Sequence, residues 1–102
     1  MVKAPESKLQ EKIRKALKEE FPASFFYKTH GGPMQKRGIP DIMGCIDGKF
    51  VAIEVKVPGK ENTLSELQKE ALEQISNAGG LAFMSTSVEH SLHTVKKVID
   101  KG

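Results

Sequence analysis

Apolar side chains recur at steps of three and four through Leu9, Ile13, Ala16 and Leu17, a spacing that predicts a helix over residues 6–20. Pro5 suits a first helical position, Ser7 and Gln10 have the spacing of a capping box, and Phe21-Pro22 stops the helix. The aromatic and β-branched run from Ser24 to Thr29 predicts a strand, followed by a basic loop rich in Gly and Pro. Two further strands are expected, Asp41 to Ile46 and Phe50 to Val57, joined by Asp47-Gly48, a strong two-residue hairpin signal. A second helix is expected to begin near Thr63, where Thr63 and Glu66 are spaced as a capping box. Its buried stripe would be Leu64, Leu67, Ala71, Ile75 and Ala78, and Gly79-Gly80 would end it. Leu81 to Ser85 reads as a short strand, and Val88, Leu92, Val95 and Ile99 mark a last helix.

The order α-β-β-β-α-β-α calls for an α/β fold in which helices cover a small mixed sheet, since neither amphipathic helices nor one hairpin is stable alone. The first three strands are expected as an antiparallel meander, with the fourth joining parallel through its helical crossover. With 102 residues, 38 % hydrophobic and no visible repeat or linker, one domain over residues 1–102 is the natural reading. No apolar stretch approaches the roughly 20 residues of a membrane span, and the charged start does not read as a signal peptide. The single Cys45 allows no internal disulfide and argues against a thiolate zinc site; it is expected to be packed, in a reducing, cytoplasmic setting. His90 and His93 lack an apparent third ligand and read as surface histidines. The net charge of +3 is unremarkable, but its distribution is uneven. Residues 1–28 carry seven basic and four acidic side chains, residues 29–60 five and three, and residues 61–102 four and six. The basic part permits a nucleic-acid partner without proving one.

Alternation along the third strand puts Phe50, Ala52, Glu54 and Lys56 on one side and Val51, Ile53, Val55 and Val57 on the other. The charged end of the first side has the character of a cleft edge. A turn at 47–48 sets a register that brings Asp41 beside Glu54, so two carboxylates and Lys56 converge. Carboxylates so close repel unless a hard cation lies between them, and such a cation can polarise a phosphate and acidify a bound water. The competing reading is a surface ion pair between Lys56 and either acid, worth less than about 1 kcal/mol. On the first helix, with Leu9 at 0°, Glu6 falls at about 60° inside the apolar stripe and Glu11 at about 200° outside it. Gln68 lies on the stripe of the second helix and must hydrogen-bond to something there.

Gly38-Ile39-Pro40-Asp41, twelve intervening residues, and then Glu54-Val55-Lys56 resemble the PD-(D/E)XK nuclease signature. More narrowly, nearly the whole chain resembles the small VRR-NUC branch, which includes stand-alone phage and bacterial proteins. The resemblance takes in Pro5 to Gln10, Phe26 to Gly31, the hairpin, Ser65-Glu66-Leu67-Gln68 and Ala78-Gly79-Gly80. It implies a restriction-endonuclease-like αβββαβ core followed by a C-terminal helix, and phosphodiester hydrolysis dependent on Mg2+ or Mn2+. Asp41, Glu54, Glu6 and the Val55 carbonyl would be metal ligands, Lys56 the catalytic lysine, and Gln68 a brace for the site or the nucleic acid. Lys28, His30, Lys36, Arg37, Lys60 and Ser65 are the candidate DNA contacts. The resemblance further implies a homodimer that cuts four-way (Holliday) junctions or other branched DNA, its two sites related by a two-fold axis. Ser24 to Tyr27 or the last helix would supply the dimer surface. A flap, nicking or non-specific endonuclease and a non-catalytic accessory protein are the alternatives.

Overall fold

The structure is a computed structural model that describes residues 4–29 and 37–100. Helix α1 (Pro5–Glu20) opens with Pro5 at its first turn, where the missing N–H has no helical acceptor to lose. Its N-cap, Ala4, makes no side-chain bond, so the expected Ser7–Gln10 capping box does not form. Gln10 is buried instead, beside Ile13 and Leu17. Strands β1 (Ser24–Lys28), β2 (Ile42–Ile46) and β3 (Lys49–Val55) form the expected antiparallel meander. Strand β4 (Leu81–Ser85) joins parallel to β3, giving the order β1-β2-β3-β4. Asp47 and Gly48 turn the hairpin with φ of 52° and 80°, the left-handed pair that matches the twist of the flanking strands.

Helix α2 (Glu66–Asn77) starts later than expected, after a 3-10 turn at Glu61–Thr63. Ser65 caps it: Ser65 Oγ accepts from Gln68 N, and Gln68 Oε1 accepts from Ser65 N at 2.8 Å. The capping box is therefore Ser65–Gln68 and not Thr63–Glu66. Helix α3 (Val88–Ile99) is capped by Ser87, whose Oγ accepts from His90 N at 3.0 Å.

The core lies on one side of the sheet, where Ile42, Ile46, Val51, Ile53 and Val55 meet Ile13 and Leu17 of α1 and Val95 of α3. Removing these side chains from water is the main force holding α1 and α3 to the sheet. The opposite side is covered over β3 and β4 by α2, which leaves the neighbouring surface of β1 and β2 open. No residue of α2 is fully buried, and Leu67 is exposed, so the stripe expected on this helix is only partly covered. Cys45 is exposed for the same reason, against expectation: it stands on the uncovered part of the sheet.

Gly44, in the middle of β2, has no room for a side chain. A Cβ there would collide with the Phe25 carbonyl oxygen and lie 2.6 Å from Phe26 Cδ1. At Gly48 a Cβ would meet nothing, and only the backbone angle resists. Gly44→Ala should therefore cost more than about 2 kcal/mol in a urea titration and Gly48→Ala about 1 kcal/mol. Equal losses at the two positions would contradict this account of the sheet.

Candidate active site

The β2–β3 ladder runs Ile42 opposite Ile53, so the next pair outward is Asp41 and Glu54. Asp41 is anchored at that edge, its Oδ2 accepting from Val55 N at 2.9 Å. The same region is closed by Thr29, whose N donates to Asp41 O at 2.9 Å and whose Oγ1 donates to Pro40 O at 2.8 Å. Glu54 follows the alternation of β3 to the α2 side and is only 2 % exposed. Its Oε2 accepts from Gln68 Nε2 at 3.1 Å and lies 3.9 Å from Lys56 Nζ. Lys56 is itself buried and is fixed by its own backbone: just past the end of β3, Lys56 N donates at 3.0 Å to the carbonyl of Ser85, the last residue of β4. One acid is thus held by the sheet edge, the other by a helix N-terminus, and the lysine by the parallel strand.

Glu6 comes in from the first turn of α1. It is half-buried and close enough to Asp41, Lys56 and Lys28 for their charges to act on it, whereas Glu11 is exposed. Burial, and then the Asp41 carboxylate, raise the Glu6 pKa; Lys56 and Lys28 oppose them. Glu54 is shifted further, to about 8. Burial is the largest cause and the neighbouring Asp41 carboxyl the next, with Lys56 offsetting only part of it. The two carboxyls are near enough to share a proton.

Among the DNA-contact candidates, Lys28 is half-buried at the end of β1 on the Glu6 side, and Arg37 and Lys60 are exposed. Ser65 is occupied as the α2 cap. His30 and Lys36 lie outside the described residues. Among the described residues no group of three or more His, Cys, Asp or Glu is assembled to hold a metal ion. The donor set nevertheless fits a hard divalent cation. Glu54 Oε1 is buried with no hydrogen-bond partner, and Asp41 crowds it with like charge. Magnesium needs only one or two carboxylates and keeps several waters, so a pair of acids suffices without a closed cage. Gln10, which the sequence offers only as a capping-box partner of Ser7, lies buried beside this site with its amide facing Glu6. Its angle, about 100° from Leu9 and next to Leu17, carried the signal.

No family model and no curated protein matches the chain. A solved structure described as a VRR_NUC domain protein superposes with a TM-score of 0.73 over 97 % of this chain and 91 % of its own, at 18 % sequence identity. The fold is that of a VRR_NUC domain protein. The resemblance read from the motifs and the likeness of the backbone agree on the αβββαβ core.

The Glu54 shift has a consequence for stability. Without metal, the folded protein holds the Glu54 proton up to about pH 8, while the unfolded chain releases it near 4.5. Between these values the native state binds more protons than the unfolded state, so stability falls as pH rises. In EDTA the wild-type melting temperature should decline from pH 5.5 to pH 8 more steeply than that of Glu54→Gln. A wild-type profile no steeper than the variant's would contradict the buried acid pair.

Proposed function

We propose that the chain is a VRR-NUC nuclease of the PD-(D/E)XK superfamily, a divalent-metal-dependent DNA endonuclease that cuts four-way junctions as a homodimer. The observation that carries this reading is the buried Glu54, crowded by Asp41 and contacted by Gln68 and Lys56. A buried carboxylate with an unpartnered oxygen is costly unless a cation or a proton compensates it, and such arrangements concentrate at functional sites. Asp41, Glu54 and the Val55 carbonyl would hold Mg2+ or Mn2+, with Glu6 completing the set. When bound, the ion supplies Lewis-acid polarisation of the scissile phosphate and acidifies a water.

The remaining work falls to the chain. Lys56, kept beside Glu54 by its backbone bond to Ser85, offers a cation that can orient the attacking water or balance charge gathering on the phosphate. Gln68 fixes one oxygen of Glu54 and leaves the other for a ligand. Lys28 and Arg37 offer positive charge to backbone phosphates, which gives affinity without reading sequence.

The dimer surface we assign is the uncovered sheet face. Phe25 is 66 % and Tyr27 45 % exposed; Phe25 pairs with Cys45 and Tyr27 with Met43, and Phe50 stands opposite Cys45. These side chains share one face, continuous with exposed Leu67 on α2. So large an apolar surface calls for a partner, and a second copy would set two sites across a two-fold axis, as symmetric cutting of a junction requires.

Lys56→Ala, and Asp41→Asn, which retains an acceptor for Val55 N, should each lower junction cleavage with Mg2+ or Mn2+ at least about a hundredfold. Both should bind the junction in EDTA about as well as the wild type. Cleavage by either variant at the wild-type rate overturns the site, and binding without cleavage by the wild type makes the chain an accessory protein. Equal cutting of flap, linear duplex and junction at one salt concentration removes the junction preference. In light scattering the wild type should have twice the 11.2 kDa chain mass and Phe25→Asp the single mass.

A further inference from the structure

Gln10 is 4 % exposed, in the second turn of α1, at a position where leucine would fill the same space without polar atoms. Its Nε2 faces Glu6 Oε1 at 3.4 Å, one helical turn back, and its own Oε1 is buried with no partner. Burying a carboxamide with an unused acceptor is unfavourable, so packing does not account for the residue. Arg14, one turn further, also has a buried Nε without a partner. Glu6, Gln10 and Arg14 thus follow one another at one-turn spacing along α1, and the Glu6 end of the row is close enough to Asp41 and Lys56 for their charges to act on it. The arrangement repeats one seen at the other acid, where Gln68 Nε2 donates to Glu54 Oε2 at 3.1 Å.

We infer that Gln10 is a positioning residue for Glu6, holding that carboxylate toward the acid pair as Gln68 holds Glu54. The inference rests on the metal-dependent reading given above. Glu6 is carried by the first turn of a helix whose N-cap makes no side-chain bond, a place where the chain frays and a side chain has many rotamers. A donor from the second turn, itself locked by burial, narrows that freedom. Residues that orient a metal ligand in this way typically change metal affinity by about tenfold or more when removed.

The test is calorimetric titration of the DNA-free protein with Mn2+. Gln10→Leu should bind Mn2+ about tenfold more weakly than the wild type, while melting in EDTA at a temperature no lower. Gln10→Met, which keeps the length of the side chain and removes the amide, serves in its place should the leucine variant not fold. The double variant Glu6→Gln/Gln10→Leu should bind no more weakly than Glu6→Gln alone, because the amide acts through that carboxylate. A purely structural glutamine would give unchanged Mn2+ affinity in the single variant, or multiplied losses in the double one. Either result overturns the inference and leaves the acid pair standing. A wild type that takes up no Mn2+ overturns the metal reading itself, and this inference with it.

Discussion

The register between β2 and β3 places two acids side by side, one half-buried and the other almost wholly removed from water. A two-residue turn with both φ angles positive allows little slippage, and a shift by one residue would move Ile42, Ile53 and Val55 out of the core. The hydrophobic pattern that stabilises the sheet therefore also forces Asp41 against Glu54. Like charge and lost solvation act together there, and Lys56 at 3.9 Å only partly offsets them. The surrounding contacts answer that strain: Val55 N takes one oxygen of Asp41, and the Gln68 amide takes one of Glu54.

The two sides of the sheet divide the work. One is sealed by α1 and α3 over an aliphatic core, so it fixes the positions of the strands. The other carries the acid pair at one end and an uncovered aromatic surface at the other, because α2 lies mainly over β3 and β4. The acid pair thus rests on a packed support, with exposed apolar side chains elsewhere on the same face.

Much of this was legible in the residues. The hairpin turn, the parallel fourth strand and the meeting of Asp41 with Glu54 follow from alternation and one turn signal. The start of α2 was not, because Thr63–Glu66 and Ser65–Gln68 both satisfy the capping-box spacing. What separates them is the bond from Gln68 to Glu54, a contact with a strand that helix-end chemistry does not contain. Gln10 was obscured in a similar way, since its spacing from Ser7 suggested a cap and drew attention from its place beside Leu17. The exposure of Cys45 depended on how much of the sheet a helix would cover, which strand periodicity does not state.

Gln68 joins two structures through one amide: its oxygen closes the cap of α2 and its nitrogen steadies the buried acid. The first turn of a surface helix is thereby wired to the most deeply hidden carboxylate in the protein. Ser65, open to solvent and eleven residues downstream, sits a single side chain away from Glu54. Loss of such an outward-facing hydroxyl would loosen the amide that steadies the interior acid, so what a change costs at this position is not set by its own burial.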